Sequence, residues 1–191
     1  PTGRADLILS VEPLEVLRYW HYLRPSGWVV TSVTPYVNIP DYPEMDDLLA
    51  ELAGFENIIM VDTANIARAA GNLRAQNMAA VGAASPLLDF SEAQLLRFVE
   101  LLFSRKGEKI VDVNRRAFSY GRAAGLFFRG LVDFGMPRLA AIRLSAKIAA
   151  DTVDPAHAPV WAEAIGSDDA KLVAVLAEKD MVSSDRAASF N

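Results

Sequence analysis

The stretch Ala5-Asp-Leu-Ile-Leu-Ser-Val-Glu-Pro-Leu-Glu-Val-Leu-Arg-Tyr19 changes period in its middle, and that change decides the fold. From Asp6 to Val11 the residues are nearly all apolar, as in a strand of a parallel sheet covered on both faces. Pro13 suits the first turn of a helix, where its missing N–H costs nothing, and Val16, Trp20 and Leu23 recur at helical spacing. The helix is expected to end near Arg24. Pro25-Ser-Gly27 then reads as a turn, and Trp28-Val-Val-Thr-Ser-Val33 is β-branched enough for a second interior strand.

Outward from there the alternation continues. Thr34 to Pro43 carries prolines at 35, 40 and 43, which predicts an ordered surface loop. Glu44 to Ala53 has helical character and stops at Gly54. Asn57-Ile-Ile-Met-Val61 is a third strand, with Asp62 or Thr63 placed to cap the next helix. The order β-α-β-α-β predicts an α/β fold, a mostly parallel sheet with flanking helices. From about Thr63 the helical period takes over. Ser91 and Gln94 stand in capping-box register ahead of Leu95, Phe98, Val99 and Leu102, and Glu108 to Gly130 is a long helical candidate. Leu139 to Ala150 and Ala158 to Glu178 are shorter candidates, broken around Asp154-Pro155 and Gly166-Ser167. The last ten or so residues, rich in Ser, Ala and Asp, are expected to fray.

Composition narrows the function classes. The 191 residues are 52% hydrophobic with a formal net charge of −5, which suits a globular protein and offers no basic footprint for nucleic acid. No apolar run reaches the roughly 20 residues needed to span a bilayer, and Pro1 to Asp6 lacks the features of a signal peptide, so a cytoplasmic, membrane-free protein is the expectation. Cysteine is absent, which removes disulfides, thiolate nucleophiles and the usual ligands of iron–sulfur clusters. The two histidines, His21 and His157, are far apart, and His21 reads as a half-buried residue rather than a catalytic one. No G-x-G-x-x-G turn, P-loop, hydrolytic triad or metal loop occurs.

Three segments can carry chemistry, each with a plainer reading beside it. Glu12 stands at the carboxyl end of a strand, where ligands sit in open α/β sheets. The same Glu12 would favourably face a helix N-terminus, with Glu15 and Arg18 a surface pair, and the residues alone favour that reading. In Gly71-Asn-Leu-Arg-Ala-Gln-Asn77, Asn72, Arg74 and Asn77 can offer donors to a carboxylate or phosphate. Equally, Gly71 can end one helix, Asn72 cap the next, and Gly82 let two helices pack tightly. Asn114 to Gly121 reads as a helix with a solvated basic face and a core Phe118.

Taken in series, Ala5 to Tyr19, Pro25 to Pro43, Gly71 to Gly82, Gly82-Ala-Ala-Ser-Pro86, Arg105-Lys-Gly-Glu108 and Asn114 to Gly121 resemble the indolepyruvate ferredoxin oxidoreductase beta-subunit family, over roughly the first 120 residues. That family is similar to the gamma domain of pyruvate and other 2-oxoacid:ferredoxin oxidoreductases. The resemblance implies a subunit that is inactive alone and supports the CoA-dependent oxidative decarboxylation of aryl 2-oxoacids to arylacetyl-CoA. A large partner subunit would hold thiamine diphosphate, Mg2+ and the iron–sulfur clusters, and pass electrons to ferredoxin. This chain would bind no cofactor itself. Glu12, Asn72, Arg74 and Asn77 become candidate residues of the subunit interface or the CoA side of the site.

Two departures accompany the resemblance. The family opens on a strand and a glycine-rich G-x-G-G-x-G turn that these residues lack, which reads as a fragment of a longer protein. Residues 123–191 form a helical extension expected to pack on the 1–122 gamma-type domain. The alternatives are the gamma subunit of another 2-oxoacid:ferredoxin oxidoreductase, acting on pyruvate, 2-oxoglutarate or 2-oxoisovalerate, and a non-catalytic α/β interaction subunit. An independent nucleotide-binding enzyme is the weaker third. Metal analysis of the well-washed isolated chain should find no stoichiometric iron; finding it would contradict the cysteine argument.

Overall fold

The computed structural model describes residues 1–36 and 41–178. Part of the proline-rich loop and the C-terminal tail expected to fray lie outside them. Strand β1 (Ala5–Ser10) leads into α1 (Pro13–Tyr19), a short 3-10 turn and β2 (Leu23–Ser32); α2 (Met45–Ala53), ended by Gly54, leads into β3 (Ile58–Val61). The three strands lie parallel in the order β1-β2-β3, so each helix crosses to the next strand, as the alternation required. All four residues of β3 are buried, and Val29 and Val30 in the central strand are fully so, as expected of a sheet covered on both faces, whereas the edge strand β1, expected to be buried as well, has no fully buried residue and leaves Leu9 40% exposed. The fold is Rossmann-like α/β.

Residues Pro25 to Gly27 do not turn between helix and strand; they lie inside β2. Helix α1 ends at Tyr19, five residues before the expected Arg24. Ala5 pairs with Leu23 but Leu7 pairs with Trp28, so the residues between Leu23 and Trp28 bulge out of the ladder. Pro25 has no N–H to give the ladder, which a bulge accommodates. Gly27 closes it, because a side chain there would press within 2.9 Å of the Ala5 carbonyl oxygen. His21, expected half-buried, is exposed in the turn before the bulge, its ring 4.1 Å from that of Tyr22.

After β3 the chain is helical: α3 (Thr63–Ala70), α4 (Gln76–Ala84), α5 (Glu92–Phe103), α6 (Glu108–Asp133), α7 (Arg138–Lys147), α8 (Ala158–Ile165) and α9 (Asp169–Ala177). Local chemistry sets the ends. Asp62 caps α3 through the Asn65 N–H, Gly71 ends it at φ 108°, and Ser91 and Gln94 form the reciprocal capping box on α5. None of these helices is long and apolar enough to cross a membrane.

Helix α6 packs on α3, α4, α5, α7, α8 and β3. Its tightest contact is with α4. Side chains on Gly82 or Gly121 would overlap the carbonyl oxygens of Phe118 and Ala79 respectively, and one on Gly125 would come within 2.8 Å of the Ala83 carbonyl. Phe118 beside this seam is fully buried. One continuous core joins Val29, Ile59 and Met60 of the sheet to Phe127, Leu131, Trp161, Leu172 and Val175. The boundary expected after residue 122 falls within α6.

Gly121→Ala should therefore destabilise the fold despite alanine's better helix propensity. Overpacking of this kind costs roughly 1–3 kcal/mol. A drop of several degrees in melting temperature is expected by calorimetry, at about 2–4 °C per kcal/mol for a chain of this size.

Candidate functional site

The carboxyl ends of the three strands deliver a belt of polar groups to one edge of the sheet. At the end of β1, Glu12 caps α1, its Oε2 accepting from the Glu15 N–H at 2.9 Å. Its other oxygen accepts from the Tyr42 hydroxyl, 30 residues away. The Ser10 hydroxyl bonds the Glu12 backbone and fixes its position. The Tyr42 phenol is pushed up from its ordinary value near 10, first by burial, then by the hydrogen bond to Glu12 and that carboxylate's charge.

At the end of β2 the buried Ser32 hydroxyl accepts from the Thr34 N–H at 3.1 Å and the Thr63 hydroxyl at 2.9 Å. Asp62, ending β3, accepts from the Thr34 hydroxyl at 2.8 Å and from Asn65 through both its backbone and side-chain amides. These bonds tie the β2–α2 loop to the start of α3. Beside Asp62 opens a cavity of about 370 Å³, lined by Val61, Asn65, Ile66, Ala124 and the segment from Ser145 to Asp151. It lies partly against residues that come after the seam helix in the chain.

The second expected segment sits elsewhere. Eight residues of α3, roughly 12 Å of helix, separate Asp62 from Gly71. Asn72 caps the short turn after α3, its side chain accepting from the Arg74 N–H at 3.0 Å. Asn72 and Arg74 line a groove with Phe103, Lys106, Ile110 and Asn114. Arg74 and Asn77 are exposed, and neither side chain makes a hydrogen bond or ion pair among the described residues. No such bond joins Glu12 to Asn72, Arg74 or Asn77. The basic residues of α6 act within the fold: Arg116 donates twice to the Ala70 carbonyl at the end of α3, and Arg122 holds Ser85 and Glu92.

Residues 1–124 match the family model of pyruvate ferredoxin/flavodoxin oxidoreductase. The chain belongs to this family. It is 33% identical over 141 residues to the indolepyruvate oxidoreductase subunit IorB of Thermococcus kodakarensis, covering 69% of this chain and 68% of that one. It is 31% identical over 131 residues to subunit IorB of Pyrococcus horikoshii, covering 63% of each. The IorB subunit of Methanothermobacter thermautotrophicus is 33% identical over 134 residues, covering 65% and 66%. The chain thus spans about two thirds of the length of these relatives. No solved structure matches it. The resemblance carried by the sequence segments is borne out.

Family membership raises the question of thiamine diphosphate and iron–sulfur clusters, and these residues do not suit ligating a cluster. The chain has no cysteine, and among the described residues no three His, Asp or Glu side chains are grouped to hold a metal ion. What the edge offers is a rigid belt of hydroxyls and carboxylates, with the expected Glu12 at one end and Ser32, Tyr42, Asp62 and Thr63 supplying the rest.

The folded chain holds the Tyr42 proton more tightly than the unfolded chain, so this group contributes stability that is fully present below about pH 10 and is lost as pH rises from there toward the raised folded-state value. An ultraviolet phenolate titration should show one tyrosine ionising after the others. Tyr42→Phe should remove that late phase and flatten the alkaline loss of stability.

Proposed function

We propose that this chain is the beta-type subunit of an indolepyruvate (arylpyruvate):ferredoxin oxidoreductase, acting in the cytoplasm. A large subunit, in this reading, carries thiamine diphosphate, Mg2+ and the iron–sulfur clusters, decarboxylates the 2-oxoacid and delivers electrons to ferredoxin, while CoA takes the arylacetyl group. The observation that carries the reading is the family match over residues 1–124, and the absence of cysteine from these residues, which supply none of the usual cluster ligands, supports the division of labour. The names of the archaeal relatives, subunits of an indolepyruvate oxidoreductase, support both the aryl substrate and the partner.

Within that reading the chain's residues bind and position. Arg74 and Lys106 give the groove against α6 two cations and no carboxylate among its lining residues, which suits an anionic group such as the phosphates of CoA. Asn72 fixes the turn that presents Arg74, and Asn77 extends the same polar surface. Glu12, locked by the Tyr42 hydroxyl and the Glu15 N–H of α1, is the corresponding candidate at the sheet's carboxyl edge. Residues 1–122 are the gamma-type domain of this reading, and residues 123–191 are its helical extension.

Reconstitution with the large subunit, CoA and ferredoxin tests it. The chain alone should show no turnover. The pair should favour indolepyruvate over pyruvate in kcat/KM by at least about tenfold, the range a filled apolar pocket supplies. A ratio near or below one would remove the aryl label and leave the subunit assignment, whereas an inactive pair would overturn both.

A further inference from the structure

Helix α5 carries an apolar stripe that none of the described residues covers. Phe98, Leu101 and Leu102 are 59%, 59% and 66% exposed. Their spacing of three and four residues places them on one face, bordered by the half-buried Leu95. Phe90, just ahead of the capping box, is 55% exposed as well. The helix rests on α6 through its other face, where Val99 is buried. Its capping box and its ion pairs to α6, Glu92 with Arg122 and Glu100 with Arg115, hold the stripe in a fixed orientation. Contiguous exposed apolar surface of this kind marks a binding face.

Charge selects the occupant. Both carboxylates of α5 are engaged by arginines of α6. Arg97, beside the stripe, and Arg105, at its C-terminal end, make no hydrogen bond or ion pair among the described residues and are exposed. The exposed carboxylates without a partner among the described residues, Asp89 and Glu108, lie further out along the chain on either side of the helix, so the free charge next to Phe98 and Leu102 is that of Arg97 and Arg105. A second copy docked face to face would bring these cations together; a partner with carboxylates around an apolar groove would complement them.

We propose that the exposed face of α5 docks, helix in groove, into an apolar, acid-rimmed surface of the large subunit. This rests on the function proposed above. Phe98 and Leu102 are the anchors, and Arg97 and Arg105 steer the encounter.

The test measures affinity between the full chain and the purified large subunit at two ionic strengths. Phe98→Ala with Leu102→Ala should weaken binding by roughly a hundredfold or more, as loss of two anchors does, with the melting temperature unchanged because both side chains are exposed. Arg97→Glu with Arg105→Glu should slow association about tenfold and abolish its salt dependence. Val173→Ala, at an exposed apolar residue of α9, should bind like the parent chain. If the parent chain binds and the Phe98/Leu102 variant binds equally well, the docking face is wrong and the subunit assignment stands. If the parent chain does not bind the large subunit, the function reading fails and this occupant with it. A parent chain that dimerises alone, through the same two residues, would make the occupant a second copy and overturn the proposal.

Discussion

Helices α4 and α6 meet backbone to backbone, and most of the remaining architecture is arranged around that contact. Gly82, Gly121 and Gly125, with Ala79 and Ala83 opposite, let the two helices approach closer than side chains would allow. The 26 residues of α6, about 39 Å of helix, then form a spine with α3, α5, α7, α8 and β3 placed along it. Its arginines finish the work at a distance from the seam. Arg116 satisfies a carbonyl that the end of α3 leaves without an intrahelical partner, and Arg122 fastens the start of α5. The family's matched region ends at residue 124, past Gly82 and Gly121 and just short of Gly125.

How much the sequence revealed depended on how local each determinant is. Strands β2 and β3 and the caps at Asp62, Ser91 and Gly71 are decided within a few residues, and they were legible. The tight approach at Gly82 was legible because a glycine inside an apolar helix has few other uses. The bulge at Pro25 to Gly27 was not, since its register is set by Ala5 and Leu7 on another strand. Nor was the partnership of Glu12 with Tyr42, which joins residues 30 positions apart through a proline-rich loop. Periodicity put Leu95, Phe98, Val99 and Leu102 on one face of α5, whereas the fold turns Val99 towards α6 and leaves Phe98 and Leu102 outside. It cannot say whether anything covers that face, and in the fold only Val99 of the expected four is buried.

The candidate site residues divide along the same line. Glu12 and Asn72 do what their plainer readings required, capping a helix and a turn. That does not remove them from a binding surface. A residue whose rotamer is fixed by a cap presents the rest of its polar surface at little further entropic cost. Arg74 is the opposite case: its side chain makes no hydrogen bond or ion pair among the described residues, and it lines one groove with Lys106, which is why the proposed function gives it an outside anion.

The continuity of the core has a consequence for how the chain is made. Val29, Ile59 and Met60 belong to the same core as Trp161, Leu172 and Val175, more than a hundred residues later in the chain. During vectorial synthesis the three strands leave the ribosome long before those partners exist. Until α4, α6 and α7 arrive, the strands lack the later helices that pack on them, and their β-branched surface is open to other nascent chains. Assembly therefore closes around α6, with α8 and α9 completing the core by packing on α6 and α7.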